Sequence, residues 1–397
     1  MSLSRDFDVR GRVLEAGELP AWLSEHSLGN RFGLSVAGTG TGYDARAASL
    51  AIVAADGDGR FLDLAALTPD DTEALVSWLA DPGPPKAVHD APRAMHALGR
   101  RGWALRGITS DTMLAARLLR PERQSGSLNE LLVHHMRCAL PPEAVEGDSP
   151  RGLILQACAV LDLADVLDEE LARIDSSSLL GRLELPAQRV LAELEMVGVA
   201  VDRRILAAAA PSKHVAADGR IHSSAPGHQM REAVVAGEGY AGLMIAQYRD
   251  LDTRILAHWA GEGAVIDEAR SVGYASTLLG RRHYLPDLGS GDPRVRAAAE
   301  RAAVAMAIRG SAADIIKVAT IDVDQAIKAV GLTSRLVLQL SSGLVFEVAA
   351  GERDDLAGYV RDSMRGAYPL DEPLEVSIGY GPTLTAAMSH IRSHIRE

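Results

Sequence analysis

Aromatic residues are scarce in this chain, at 4% of 397 positions, and cysteine is limited to Cys138 and Cys158. Those two cysteines form neither a metal-binding spacing nor a disulfide framework, which excludes a zinc module and a cross-linked secreted scaffold. Each is expected as a buried free thiol. Long apolar runs are missing too. No stretch approaches the ~20 residues needed to cross a bilayer, and the opening MSLSRDFDVRGRVLEAGELP mixes charges where a signal peptide would carry its apolar core. No membrane partner is expected, and a cytoplasmic location is. Positive charge is also short: 41 Lys and Arg stand against 53 Asp and Glu, a net charge of −12. Neutralising phosphates supplies most non-specific affinity for nucleic acid, so any nucleic-acid reading must find its cations in a local patch.

What is present is ordinary for soluble globular protein, at 47% hydrophobic and 24% charged residues. The length leaves room for two or three domains. Abundant alanine with few aromatics predicts aliphatic, helix-rich cores, and alanine and arginine enrichment is also what a high-GC genome produces.

The first part alternates strand and helix signals. FGLSVAG (Phe32 to Gly38) and AASLAIVAAD (Ala47 to Asp56) predict neighbouring strands joined by TGTGYDAR, with GRFLDLA as a third. Thr68 and Pro69 open the amphipathic helix TPDDTEALVSWLAD. DPGPPKAVHD predicts a turn and a short strand, followed by the helices APRAMHALGRRG, ITSDTMLAARLLRP, SLNELLVHHMRCAL and LILQACAVLDLADVLDEELARI. An α/β domain over 1–178 follows from this pattern. GTGTG (Gly38 to Gly42) lacks the Gly-Lys-Ser/Thr ending of a phosphate loop and is expected as a turn.

Over 179–397 the pattern becomes α+β. YAGLMIAQY is a strand, DLDTRILAHWAG a helix with Asp250 placed to cap it, and PRVRAAAERAAVAMAIRGSAADIIKVATIDVDQAIKAVG a long helical pair. LVLQLSSGLVFEV (Leu336 to Val348) alternates on both sides of Ser341-Ser342-Gly343 and predicts a tight hairpin, where Gly343 suits the turn. DDLAGYVRDSMRGA and PLEVSIGYG add a helix and a last strand. PSKHVAADGRIHSSAPGHQ, with Asp218-Gly219, is a loop. His390 and His394, four apart, lack a third ligand and carry no metal expectation, and His134-His135 is expected at the surface.

The blank hairpin tip stands inside a familiar succession. TLLGRRHYLPDL, AAERAA, GSAADIIKVA, LQL…LVFEV and YPLDEPLEVSIGYG occur in the order found at the C-terminus of bacterial DNA polymerase I, and the chain resembles the family A polymerases from Tyr274 to Gly381. GLMIAQYRDLDTRILAHWAG resembles the family's motif A, and LLGRLELPAQRVLAELEMVGVAVD the start of its polymerase region. GITSDTMLAARLLRP is similar to the proofreading exonuclease domain of the same family, and the resemblance as a whole is nearest to members from high-GC bacteria. The resemblance implies an RNase H-like 3'-5' exonuclease-type domain (1–178) followed by a reduced family A polymerase palm (179–397) that lacks fingers and most of the thumb.

The resemblance also marks departures. Two divalent metals about 3.5–4 Å apart, held by carboxylates, serve phosphoryl transfer of this kind. The family's motif A aspartate corresponds to Gln247, and its His-Asp-Glu turn to Ser341, Ser342 and Gly343. Amides and hydroxyls are poor substitutes for a carboxylate on Mg²⁺. Asp252 stands where the family has a glutamate beside the incoming sugar. GEGAVIDEA runs directly into RSVGYAST, so the fingers segment is missing. Ala305 and Arg309 replace an asparagine and a glutamine. In the exonuclease-type domain Ser35 and Ala37 fall on the Asp-x-Glu motif, Ala94 near the second aspartate, and Cys158 with Asp162 on the last motif.

These departures lead to an expectation of no enzyme: a pseudo-polymerase, with no cofactor and no metal, acting by binding DNA or replication and repair partners. Arg254, Arg281, Arg282, Arg309 and Lys317 are the expected contacts to DNA backbone, centred on GRRHY (Gly280 to Tyr284). The alternatives are a protein-only oligomeric scaffold and a divergent nucleotidyltransferase or nuclease with residual activity. Loss of fingers and thumb would uncover AAVAMAI (Ala302 to Ile308), which suggests a homodimer or a protein partner there.

Overall fold

The computed structural model describes residues 7, 9–27, 29–39, 45–122, 126–145, 149–209, 216, 219–222 and 228–394. Most of GTGTG, Asp218 and the His394 side chain lie outside the described residues. The chain divides into two compact units, Met1–Gln188 and Arg189–Glu397.

In the first unit, six strands form a mixed sheet in the order β1-β4-β3-β2-β5-β6, with β1 Arg10–Val13, β2 Phe32–Thr39, β3 Arg46–Val53, β4 Asp58–Asp63, β5 Lys86–Val88 and β6 Ile108–Asp111. β2, β3 and β4 make an antiparallel meander, and β1, β5 and β6 join in parallel. The helix Pro150–Arg173 starts on a Ser149 cap that accepts from the Gly152 amide and buries Leu153, Ala157, Val160, Leu163 and Leu167. It crosses β2 so closely that a Cβ on Gly33 would collide with the Ala157 carbonyl. Cys138 and Cys158 are buried free thiols.

A fully buried carboxylate knits this unit together. Asp111 accepts from the amides of Asp90, Ala91, Met113 and Leu114 and from Gln188 Nε2 at 2.9–3.4 Å. Lys86 is fully buried as well. Its Nζ donates to the carbonyls of Asp81 (3.0 Å) and Pro84 (2.9 Å) and stands 4.5 Å from the Trp78 ring centroid. Burial pushes this ammonium down to about 8, against the attraction of Asp81. An unfolded lysine titrates near ~10.4, so the native state binds fewer protons between those values and stability rises with pH across that window. Lys86→Met is expected to flatten the rise, read as the change in urea midpoint between about pH 7.5 and about pH 9.5.

The second unit carries short pairs β7 Val199–Ala200 with β8 Arg220–Ile221, and β10 Tyr274–Ser276 with β11 Arg282–Tyr284. Its main sheet is antiparallel in the order β12-β13-β9-β14, with β9 Gly242–Arg249, β12 Arg335–Gln339, β13 Gly343–Val348 and β14 Glu375–Gly381. The period of two sorts β9 between two cores. Met244, Ala246 and Tyr248 join the helices Pro293–Val330 and Arg353–Gly366, while Leu243 and Ile245 join the helix Leu384–His394.

Several expectations are corrected. The long helical pair is one 38-residue helix, Pro293–Val330. Gly310 does not break it; a Cβ there would stand 2.5 Å from Thr277 Cγ2, so the glycine lets the β10–β11 hairpin lie against the helix. Asp250 takes the N-cap position at φ 52° without a side-chain cap bond. The AAVAMAI surface is covered from within: Val304 and Ala307 pack on Val265, Trp259 and Ile266, so the helix Glu262–Val272 buries what a partner was expected to cover, leaving Met306 exposed. The His135 side chain is largely buried and hydrogen-bonded to Glu170 at 3.0 Å, against a surface expectation.

Candidate nucleic-acid interface

β9 is an inner strand, and its Gln247 lies opposite Gly343 on β13 and Ser377 on β14. The Leu340 amide donates to the Gly343 carbonyl (2.8 Å), closing a two-residue turn at Ser341-Ser342, and the Tyr248 amide donates to the Ser342 carbonyl (2.9 Å). The motif A position and the turn, far apart in sequence, thus meet at one sheet end. Gly343 is not a turn residue, contrary to expectation: it opens β13, where a Cβ would approach Ala246 O to 2.5 Å and Gln247 Cγ to 2.7 Å. The amide-bearing side chain occupies the room a larger residue at 343 would need.

The carboxylates nearest in sequence are engaged elsewhere or point to solvent. Asp250 and Asp252 are exposed at the start of the helix Leu251–His258. Glu347 is buried and binds Arg220 (2.7 Å), Arg335 (2.8 Å) and the Gly237 amide (2.9 Å). Among the described residues no group of three or more His, Cys, Asp or Glu is placed to hold a metal ion. An amide and two hydroxyls do not fit a pair of divalent cations, and no step through such a pair can be built on these residues.

The five expected DNA-facing cations separate into two groups. Arg281 grips buried Asp314 through Nε (3.1 Å) and Nη2 (2.6 Å), and Arg254 binds Glu372, Glu375 and the Pro373 carbonyl. Both are spent on internal acceptors, so they anchor elements instead of facing a ligand. Arg282 lies with its guanidinium carbon 4.8 Å from the Tyr274 ring centroid, and Tyr274 meets Tyr284 edge-on at 5.7 Å. Arg309 is exposed on the helix beside Gly310, the point where the hairpin crosses. Among the described residues neither Arg282 nor Arg309 has an ion-pair partner. Lys317 is half-buried about two turns further along.

In the first unit, Ser35 and Ala37 lie on β2 and Ala94 on the helix Ala91–Gly99. Ser35 Oγ donates to Gln156 Oε1 at 2.9 Å. Ser35 and Ala94 line a 710 Å³ cleft shared with His89, Arg93 and Arg117, residues that the sequence alone did not single out. Arg93 sits one position from Ala94, but nothing local signals that Arg117 faces the same space.

Two family descriptions match the chain: DNA polymerase family A over residues 263–386, and the ribonuclease H-like domain of DNA polymerase I over residues 44–143. DNA polymerase I of Mycobacterium tuberculosis (strain ATCC 25618 / H37Rv) is 35% identical and that of Mycobacterium leprae 34% identical, each across 96% of this chain; the chain spans 65% of the length of either. Those alignments extend over 589 and 593 residues, well beyond the 397 here, so both relatives carry long stretches without a counterpart. The POL domain of Pol1 from M. smegmatis, solved in complex with DNA primer-template and dNTP, superposes with a TM-score of 0.85 at 39% identity, covering 96% of this chain and 100% of that one.

The expectation that the chain is no enzyme is overturned by these relatives. They are named DNA polymerase I, and the superposed structure is a polymerase domain. The neutral residues at Gln247 and Ser341 to Gly343 describe the donors of the strand tip and do not demonstrate inactivity. The described helices include none long and apolar enough to cross a membrane. At this identity and coverage the chain belongs to the family A DNA polymerases, as a shortened homologue of DNA polymerase I.

Proposed function

We propose that this protein holds primer-template DNA by its backbone on the second unit, in replication or repair in the cytoplasm. Under this reading 1–178 is an exonuclease-type domain and 179–397 the palm. The carrying observation is the β10–β11 hairpin: Arg281 and Thr277 fasten it to Asp314, Arg282 lies over the Tyr274 ring on it, and Arg309 is exposed on the helix next to Gly310, where the hairpin meets that helix. Guanidinium groups contacting phosphates, next to aromatic faces, suit a nucleic-acid backbone without reading its sequence. The similarity to a polymerase domain solved with primer-template DNA supports the same ligand class.

A fluorescence-anisotropy titration with a hairpin primer-template, across about 50–200 mM salt, tests this. Two phosphates neutralised by Arg282 and Arg309 predict a slope of log K against log salt near about −2. Absence of binding at the lowest salt would sink the reading and favour the protein-only scaffold.

A further inference from the structure

The hairpin that carries Arg282 also carries an unpaired histidine. Strand alternation in β11 sets Arg282 and Tyr284 on one face, where both meet the Tyr274 ring, and His283 on the other. His283 turns toward the helix Pro293–Val330, and its Nε2 would stand 3.7 Å from a Cβ on Gly310. The residue before that glycine is Arg309, which is exposed. The imidazole is half-buried at this crossing, and neither ring nitrogen has a hydrogen-bond or ion-pair partner among the described residues.

The surrounding charges keep this ring neutral in the free chain. Arg281 and Arg282 precede it on the hairpin, and Arg309 comes from the helix. The helix's carboxylate, Asp314, is already bound to Arg281 and Thr277, and Glu268 of the helix Glu262–Val272 accepts from Ser276 Oγ at 3.4 Å. Burial holds the imidazole below its usual range, Arg281 adds to that, and Asp314 opposes it without prevailing. A phosphate reverses the balance. Pairing with Arg309 cancels a neighbouring positive charge, and the phosphate's own charge favours the imidazolium. The added proton comes from solvent, and the ring then donates an N–H to a phosphate oxygen in a charge-assisted bond.

We propose that His283 is a third contact to the DNA backbone, neutral in the free chain and protonated in the complex, so that DNA binding takes up a proton from solution. This inference rests on the DNA reading of the second unit and adds to it a residue and a pH dependence.

Calorimetric titration of the full chain with primer-template DNA at about pH 6.5, in two buffers of different ionisation enthalpy, reads the proton uptake directly. The native chain is expected to take up about half a proton more per complex than His283→Leu, which keeps bulk at the crossing. His283→Gln, neutral but still hydrogen-bonding, should lose the uptake equally. Between about pH 8 and about pH 6, native affinity should tighten about tenfold more than that of either variant, the gain from one unit of imidazole shift. At about pH 8 all three chains should bind alike. Equal proton uptake by native and variant chains would overturn the proposal and leave the DNA reading standing. A loss of affinity in the variants as large at about pH 8 as at about pH 6 would make His283 a packing residue and overturn the proposal too. No binding by the native chain at any pH would overturn the DNA reading, and this inference with it.

Discussion

Replacing Asp314 with alanine is expected to cost the second unit about 3–5 kcal/mol, the usual penalty for stranding one member of a buried ion pair. Asp314 is fully buried and accepts from Thr277 Oγ1 (2.7 Å) and from two nitrogens of Arg281. The hairpin closes on itself through the Thr277 amide to the Arg281 carbonyl (2.9 Å) and the Arg281 amide to Thr277 Oγ1 (3.1 Å). Removing the carboxylate leaves a guanidinium and a hydroxyl with little water to replace it. For a unit of this size, a fall in Tm of roughly 6–20 °C follows. Arg281→Met in the same chain should recover most of it, since replacing both charges costs far less than stranding one. A single Asp314→Ala variant melting within about 2 °C of the native chain would show that the anchor is dispensable.

The second large effect is a gain. Joint Gln247→Asp and Ser342→Asp substitutions place one carboxylate on β9 and one in the adjoining turn, because Gln247 faces Gly343 and the Tyr248 amide is bound to the Ser342 carbonyl. Titration with Mn²⁺ followed by electron paramagnetic resonance should then give a dissociation constant on the order of 0.1–1 mM, with no saturable site at the tip of the native chain. Gly343→Glu is the wrong route to the same end. Its Cβ would lie 2.5 Å from the Ala246 carbonyl, a backbone atom that cannot yield cheaply, and the overpacking should cost about 1–3 kcal/mol. A folded double variant that fails to bind Mn²⁺ would mean that the two positions point apart, and Mn²⁺ bound at the native tip would contradict the account of its donors.

Much of the fold is written locally. The apolar period of two in LVLQL and LVFEV forecasts β12 and β13, and Thr68 and the Ser127 that opens SLNELLVHHMRCAL mark helix starts that the structure keeps as side-chain caps. Local signals misled where a residue's job was set by a distant neighbour. The expected helical pair is one helix, and its Gly310 makes room for a hairpin that begins more than thirty positions earlier. Gly343 resembles a turn glycine, yet a strand from another part of the chain requires it.

The candidate site was legible to the same degree. The resemblance brought Gln247 and the Ser341-Ser342-Gly343 turn together, and β9 and β13 do pair there. The charges were not legible. GRRHY looks like a basic patch, but Asp314 neutralises Arg281 from 33 positions away, and Arg254 finds its acids more than a hundred positions on. Ion pairing at such separations is a property of the tertiary fold, which composition cannot report.

Under the proposed reading, Arg282 and Arg309 of the second unit hold the DNA backbone. The most direct test is the primer-template titration repeated in EDTA with an Arg282→Glu/Arg309→Glu variant of unchanged melting temperature. The account predicts native binding that survives EDTA and falls by about a hundredfold in the variant, from two lost phosphate contacts and two new repulsions. Equal affinity of native and variant chains would contradict it.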